Sequence, residues 1–573
     1  MRLFFWRPRP VSGFVTTADS TTIDNTPIAT TSNVEQYCEM EEGNLCAGLS
    51  STDEDAFTLD LAIHSTHNEK QQEGRVHSSA LNTQASTPRT WSNWLGNQQS
   101  SPTAIFHPST LEDLQSIVLQ ARQYHKRIRC VGSAFSMSSI SKTDDYLIDV
   151  KSLSSIYKPA FDLKHNSWTV PVQSGVSVKA LDDYLRNHDP PLAMSGNVFL
   201  EPALYGGIIA IGAHGAEING RCLSDQVTEI TIVDSAGTLQ TFNAEKDPIE
   251  FSVACVSLGL LGIIYTLTLK VIPMTNCRYR AFDYNVPYNE LFDPLQKKSG
   301  HQLQKLAQEN ASVELFYFPF NHTGNCRSND AVLIKTLDPT TDLPTANGWF
   351  QELNHWMANQ AWILRLFKIT VVNVLSYRPR WTPVVTRLMY RFTPRLDCVQ
   401  EIPDAIHFLK NTEIFPTCLV EFSIKCDEAD DYANIVRAWD VVVEMVYEAA
   451  NERNEYPLNV ALEARFNKAS RCIMSPVYDE DSEATFFSME LVSGKNTQGF
   501  LEFSEKVAKV WMNQYGGLPH WAKVWEDVEG AMSHVQSKMR SRLNTFSQIR
   551  QRYDPKGMFM MPTFERLLNE TEE

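Results

Sequence analysis

The spacing of apolar residues divides this chain. Over residues 1–90 no apolar period is sustained and Ser, Thr, Asn and Gln dominate, so this stretch is expected to be a mostly disordered N-terminal extension. Order is predicted from Trp91 onward. Ser109-Thr110-Leu111-Glu112 reads as a capping box, after which Leu111, Leu114, Ile117, Val118 and Ala121 recur at helical spacing on one face. Short apolar runs at Ile128–Val131, Tyr146–Val150 and Trp168–Gln173 predict strands, and Val176–Arg186 predicts a helix. Val227–Val233 and Leu239–Phe242 flank Ser235-Ala236-Gly237 as a hairpin, and Ile263–Val271 is a strong strand closed by Pro273, which places a domain boundary near 275. Beyond it, strand patterns at Val313–Phe318, Cys418–Ile424, Asn459–Phe466 and Thr485–Leu491 mix with helical patterns at Asp431–Tyr447 and Gly499–Tyr515. This is the signature of an α+β fold. The longest apolar run, Ala361–Leu375, is broken by Arg365 and Lys368 and predicts a core or surface-lying amphipathic segment, not a membrane span.

Composition narrows the function classes. The chain carries 68 acidic against 51 basic residues, a formal charge of −17, which argues against general binding of nucleic acid. Its 11 cysteines include no Cys-x-x-Cys pair, so neither a disulfide framework nor a zinc site is expected and reduced, buried thiols are. The first ten residues hold Arg2, Arg7 and Arg9 without an acid, a weak mitochondrial targeting pattern interrupted by Pro8 and Pro10. A mitochondrial or membrane-associated location is the expectation, with the cytoplasm as the alternative.

Three Gly/Ser-rich segments punctuate the first ordered domain, at 132–138, 206–215 and 257–262. None has the Gly-x-Gly-x-x-Gly spacing that opens a Rossmann unit. Each nevertheless offers turn N–H groups and close backbone approach, the chemistry that cradles a pyrophosphate. In the second half, Glu463 and Arg465 are two apart on a predicted strand and share a face; by itself this pattern is a simple ion pair.

Taken in order, these motifs resemble the aldonolactone oxidoreductases of the vanillyl-alcohol-oxidase flavoprotein family. The resemblance runs from Trp91-Ser92-Asn93-Trp94 through Phe106-His107-Pro108, the loop at 131–138, Gly206–Gly215 and Val256–Val271. It returns at Glu463-Ala464-Arg465-Phe466, Met474-Ser475-Pro476 and His520-Trp521-Ala522-Lys523, and ends at Arg552–Phe559. It implies a two-subdomain FAD-binding domain of the PCMH type over 91–275, an α+β cap over 276–544 and a C-terminal segment, 545–573, that returns to the FAD domain. It implies FAD contacts from Gly132, Ser133, Ala134, Phe135, Ser136, Ser138, Gly206, Gly207, Gly212, His214, Gly215, Ser224, Gly259, Gly262 and Ile263. It assigns Glu463, Arg465, Lys523 and His520 to catalysis and no metal. The expected reaction is oxidation of a sugar-1,4-lactone of the ascorbate type, with oxygen, a quinone or a cytochrome as electron acceptor. Alternatives are oxidation of an alditol or other secondary alcohol on the same fold, or a non-catalytic interaction protein, with peripheral membrane association open. Many members carry a histidine in the first loop that bonds the flavin covalently; Phe135 stands there in this chain, so FAD is expected to be non-covalent. Val198 falls where a small residue influences oxygen access in relatives, which points to a dehydrogenase.

Overall fold

A computed structural model of the protein describes residues 90–322, 326–345, 374–392, 396–407 and 416–569. The N-terminal ninety residues, apart from Thr90, and most of Ala361–Leu375 lie outside the described residues.

The first layer is a small parallel sheet of Ala104–Phe106, Tyr146–Asp149 and Ile128–Val131, with Tyr146–Asp149 in the middle. The helix Leu111–Gln123 covers it, burying Leu114, Ile117, Val118 and Ala121 against Phe106, Ile128 and Ile148. The capping box forms one residue later than the sequence pattern suggested. Thr110 Oγ1 accepts from the Asp113 amide at 3.1 Å, and Asp113 Oδ2 accepts from the Thr110 amide at 3.1 Å. Ser109 is drawn onto the same carboxylate through its own amide and hydroxyl, so Asp113 does the work expected of Glu112.

The second layer is antiparallel. Leu239–Asn243, Val227–Val233, Ile263–Pro273, Ser167–Gln173 and Ala160–Asp162 pair in that order, and Leu192–Ala193 joins the end of Ile263–Pro273. The Gly206–Gly215 segment is not a loop throughout. Its first part is the helix Tyr205–Ala210, seated because an added Cβ on Gly206 would come within 2.6 Å of Ser174 Cβ.

Between Pro273 and Asn276 the chain leaves this sheet for another. The cap sheet has eight antiparallel strands, ordered Leu396–Glu401, Asn276–Pro287, Ala331–Thr340, Val313–Tyr317, Ala461–Lys468, Thr485–Gly494, Thr417–Lys425 and Leu518–Pro519. Its far face is apolar: Phe422, Phe466 and Phe487 pack with Trp439 of the helix Ala433–Glu448 and Trp511 of the helix Phe500–Tyr515. Its near face carries charges that no apolar core would tolerate unpaired.

After the helix Ala531–Tyr553 the chain runs back along the first two sheets. Tyr553 O accepts from the Ser235 amide at 3.1 Å and Met558 O from the Ile128 amide at 2.9 Å. Arg129, buried, fastens this return by donating to the carbonyls of Ile140, Leu258, Gly259 and Phe559. Among the described residues nine cysteines are free thiols, six of them buried, and Cys326 is exposed. No described helix is long and apolar enough to cross a membrane.

Candidate functional site

One cavity of about 1070 Å³ lies between the glycine segments and the cap sheet, at the upper end of the volumes that small-molecule sites occupy. Its floor is made by Gly132, Ser133, Ala134, Phe135 and Ser136, by Gly206 and Gly207, and by Gly259, Gly262 and Ile263. Ala134 takes a left-handed backbone (φ 57°), which turns the first loop back toward the sheet, and its carbonyl accepts from the Trp94 amide at 2.9 Å. Gly262 lies where an added Cβ would sit 2.5 Å from the Val233 carbonyl, so the third loop hugs its sheet. The buried hydroxyl of Ser174 also lines the cavity and has no hydrogen-bond partner among the described residues. Phe135 rests edge-on to Trp94, with ring centroids 6.2 Å apart.

The ceiling is the near face of the cap sheet. Pairing places Glu421, Glu490 and Glu463 side by side on three adjacent strands, with Glu314 opposite Arg465 on a fourth. Period-two alternation then points all of them the same way. Lys523 follows the short strand Leu518–Pro519 and reaches under the sheet to Glu490 Oε1 at 2.5 Å and Glu421 Oε2 at 3.9 Å. Lys335 holds Glu314 at 2.6 Å. Arg465 approaches Glu314 at 3.8 Å and Glu463 at 3.6 Å, too far for hydrogen bonds; among the described residues its guanidinium donors are left to the cavity. Glu463, Arg465 and Lys523 keep 21%, 23% and 21% of their side chains exposed, and all three line the cavity.

The electrostatics follow from burial among like and unlike charges. Burial and then the neighbouring Glu490 push the Glu463 carboxyl up to about 7, against the pull of Arg465. Burial opposes the charge on Lys523, but Glu490 and Glu421 overcome it and hold the ammonium above its ordinary value. Arg465 is likewise raised, burial being outweighed by Glu314, Glu490 and Glu463. Burial opposes the charge on Glu421, but the hydrogen bond with His214 and the nearby Lys523 ammonium hold its carboxyl well below the usual range. Burial drives His520 down to about 3, so its imidazole is neutral. Its Nδ1 accepts from the Ala522 amide at 3.1 Å, which leaves the proton on Nε2.

His214, Glu421 and His520 lie close enough together to have been metal ligands. His214 Nε2 meets Glu421 Oε1 at 2.7 Å, and the other nitrogen meets Gly215 O at 3.0 Å. Lys523 supplies the positive charge beside it. Sequence spacing could not show this cluster, because its members come from three separate segments.

The structure thus brings fifteen of the nineteen residues singled out in the sequence to one cavity: Gly132 to Ser136, Gly206, Gly207, His214, Gly259, Gly262, Ile263 and the four cap residues. Ser138, Gly212, Gly215 and Ser224 do not line it. Ser224 Oγ instead donates to Ile209 O at 2.9 Å, closing the helix that carries Gly206 and Gly207. Gly212 ends that helix with a left-handed turn (φ 63°). Glu490, Glu421, Glu314 and Lys335 went unrecognised. Their signal was a single charge inside an otherwise apolar strand, as in Phe486–Val492.

Residues 268–567 match the family model described as D-arabinono-1,4-lactone oxidase, and residues 102–243 match that of an FAD binding domain. L-gulonolactone oxidase of Scyliorhinus torazame is 25% identical over 480 residues, which cover 83% of this chain and 97% of that protein. L-gulono-1,4-lactone dehydrogenase of Mycobacterium tuberculosis (strain ATCC 25618 / H37Rv) is 24% identical over 484 residues, 83% of this chain and 99% of that protein. D-arabinono-1,4-lactone oxidase of Yarrowia lipolytica is 34% identical over 182 residues, 31% of this chain and 34% of that protein. Among solved structures, cholesterol oxidase from B. sterolicum superposes with a TM-score of 0.69 at 18% identity, over 84% of this chain and 97% of that one, and shares the fold.

Proposed function

The chain belongs to the D-arabinono-1,4-lactone oxidase family, and from that premise we propose that it oxidises an alcohol carbon of a sugar-1,4-lactone, in a reaction of the ascorbate-forming kind. One observation carries this reading: the cap residues Glu463, Arg465 and Lys523 and the glycine loops face each other across a single cavity. The cavity fits FAD. Its floor combines close-packed glycines, the Ser174 hydroxyl, unpartnered among the described residues, and apolar walls from Ile208, Ala210 and Ile263. FAD bound there supplies a hydride acceptor. The protein's own residues do the rest. Glu463 accepts a hydrogen bond from the reacting hydroxyl and takes its proton. Arg465, whose donors no described residue engages at hydrogen-bond distance, and Lys523 stabilise the negative charge that arises as the proton and hydride leave. His520, neutral, offers Nε2–H to the polyhydroxy substrate.

FAD is held without a covalent link. Phe135 has no nucleophile, and the two imidazoles of the cavity, His214 and His520, are both engaged on the cap side. Acid precipitation should therefore leave the yellow chromophore in the supernatant; flavin that stays with the precipitate contradicts this.

The electron acceptor is a dye, quinone or cytochrome more readily than oxygen, a reading supported by Val198 and Phe135 both lining the cavity. A panel of 1,4-lactones and xylitol, assayed in air and with a dye acceptor, tests both points. Turnover of a lactone, faster with the dye, is the expected result. Preference for xylitol would replace the lactone by an alditol, and oxygen turnover matching the dye would make the protein an oxidase.

A further inference from the structure

Glu490 has no task in the chemistry just described, yet it sits at its centre. The strand Thr485–Gly494 runs between Ala461–Lys468 and Thr417–Lys425, and Glu490 lies directly opposite Glu463 on one side and Glu421 on the other. Directly opposed residues on adjacent strands carry their Cβ atoms only about 4.5–5.5 Å apart. Glu490 is 6% exposed, so little water screens it from Glu463.

The cations divide unevenly among these acids. Lys523 holds Glu490 at 2.5 Å, and Lys335 holds Glu314 at 2.6 Å. Glu421 is engaged by His214 at 2.7 Å. Among the described residues the one ion pair of Glu463 is with Arg465, at 3.6 Å, which it shares with Glu314. Among the described residues, Lys523, Lys335 and His214 thus each lie close to one of Glu490, Glu314 and Glu421, while Glu463 and Glu490 lie opposite each other with no cation between them closer than 3.6 Å to Glu463. Two close carboxyl groups in such a site take up one proton far more readily than none or two.

Resting on the lactone reading, we propose that Glu463 and Glu490 act as one carboxyl pair with room for a single proton, and that this pair, not Glu463 alone, takes up the proton of the substrate hydroxyl. The hydroxyl O–H bond breaks and its proton passes to a Glu463 oxygen. The C–H bond breaks with its electron pair leaving as hydride to the flavin, and the carbon–oxygen double bond forms. Glu490, engaged by Lys523 at 2.5 Å, raises the proton affinity of its neighbour across the register, and this coupling is what makes the pair basic enough to accept. The position of the Glu463 carboxyl near 7, raised by burial and Glu490, agrees with this. The other charged and titratable groups around the pair are Glu314, Arg465 and Lys335 on the sheet, Glu421 beside Glu490, and Lys523, His520 and His214 beneath it.

The sign of the pH effect is fixed by the pair's role as acceptor. Protonated beforehand, it cannot accept, so flavin reduction falls as pH drops through about 7. Glu490→Gln removes the like charge and leaves the Lys523 ammonium uncompensated, and both changes draw Glu463 down. The acid limb of the reduction rate should then move at least about one pH unit lower. Substrate-free infrared titration of the holoenzyme gives a second readout. A carboxyl C=O band should titrate near neutral pH, vanish in Glu463→Gln and shift its midpoint down in Glu490→Gln. Glu490→Asp keeps the charge and should keep a near-neutral midpoint. An acid limb and band midpoint unmoved by Glu490→Gln overturn the pair, as does a set of near-neutral carboxyl bands that Glu463→Gln leaves unchanged; the buried Glu217 carboxyl, also pushed up, to about 8, gives its own band in every variant. If Glu490→Gln does not fold, a midpoint fallen to the ordinary carboxylate range in Glu490→Asp overturns it equally. If no lactone bleaches the flavin in any variant, the substrate reading fails instead, and the infrared titration still decides the pair.

Discussion

Arg465 reaches the cavity with its donors unused among the described residues, whereas Lys523 arrives already paired. Both stabilise charge that appears mainly in the transition state, so replacing either should reduce the rate of flavin reduction more than the affinity for FAD. Arg465→Ala or Lys523→Ala is expected to slow reduction on the order of 10²-fold, measured by stopped-flow absorbance, with FAD retained on gel filtration. Reduction near the wild-type rate in both variants would remove them from the mechanism. At this scale the sequence told part of the story. Glu463 and Arg465 were legible because a two-residue interval on a strand fixes a common face. Glu490 and Glu421 were not, because strand register is a tertiary property: nothing in the local sequence says which residue of Thr485–Gly494 will lie opposite Glu463.

Strands and loops meet most tightly at Arg129. It extends from the parallel strand Ile128–Val131 and is buried, and its guanidinium ties the carbonyls of Leu258 and Gly259 in the third glycine loop to Phe559 in the C-terminal return. Burial lowers the guanidinium to about 10, which still leaves it charged at neutral pH. Arg129→Met keeps the volume but strands these acceptors in a dry interior. The loss should be about 3 kcal/mol or more of stability, with weaker FAD binding because the loop beneath the cofactor loosens. Thermal melts and flavin-fluorescence titration measure both, and a variant that melts with the wild type and binds FAD equally would show that the tie is idle. Most elements of the first domain were readable because apolar runs and turn residues delimit them, as at Ile128–Val131 and Val227–Val233. The cap strand Asn276–Pro287 was missed although Cys277, Tyr279 and Ala281 alternate with Arg278 and Arg280. The signal was present but masked by charge, since Arg278 pairs across the sheet with Asp397 at 2.7 Å.

For the molecule as a whole, function arises because two differently built halves close on one cavity. One supplies backbone and glycine, the other a charged sheet face, and neither holds a site alone. The sequence announced both halves through motifs spread from Trp91 to Phe559, but not their closure, which depends on long-range pairings such as that of Ile128 with Met558. The amphipathic stretch that suggested a membrane surface lies mostly outside the described residues. The most direct test of the account is anaerobic: the purified holoenzyme is mixed with a sugar-1,4-lactone, and the oxidised flavin band is followed. Bleaching by the lactone in the wild type, slowed on the order of 10²-fold in Arg465→Ala, is the predicted result. A flavin band unchanged by every lactone tried, in an enzyme that retains its FAD, would contradict it.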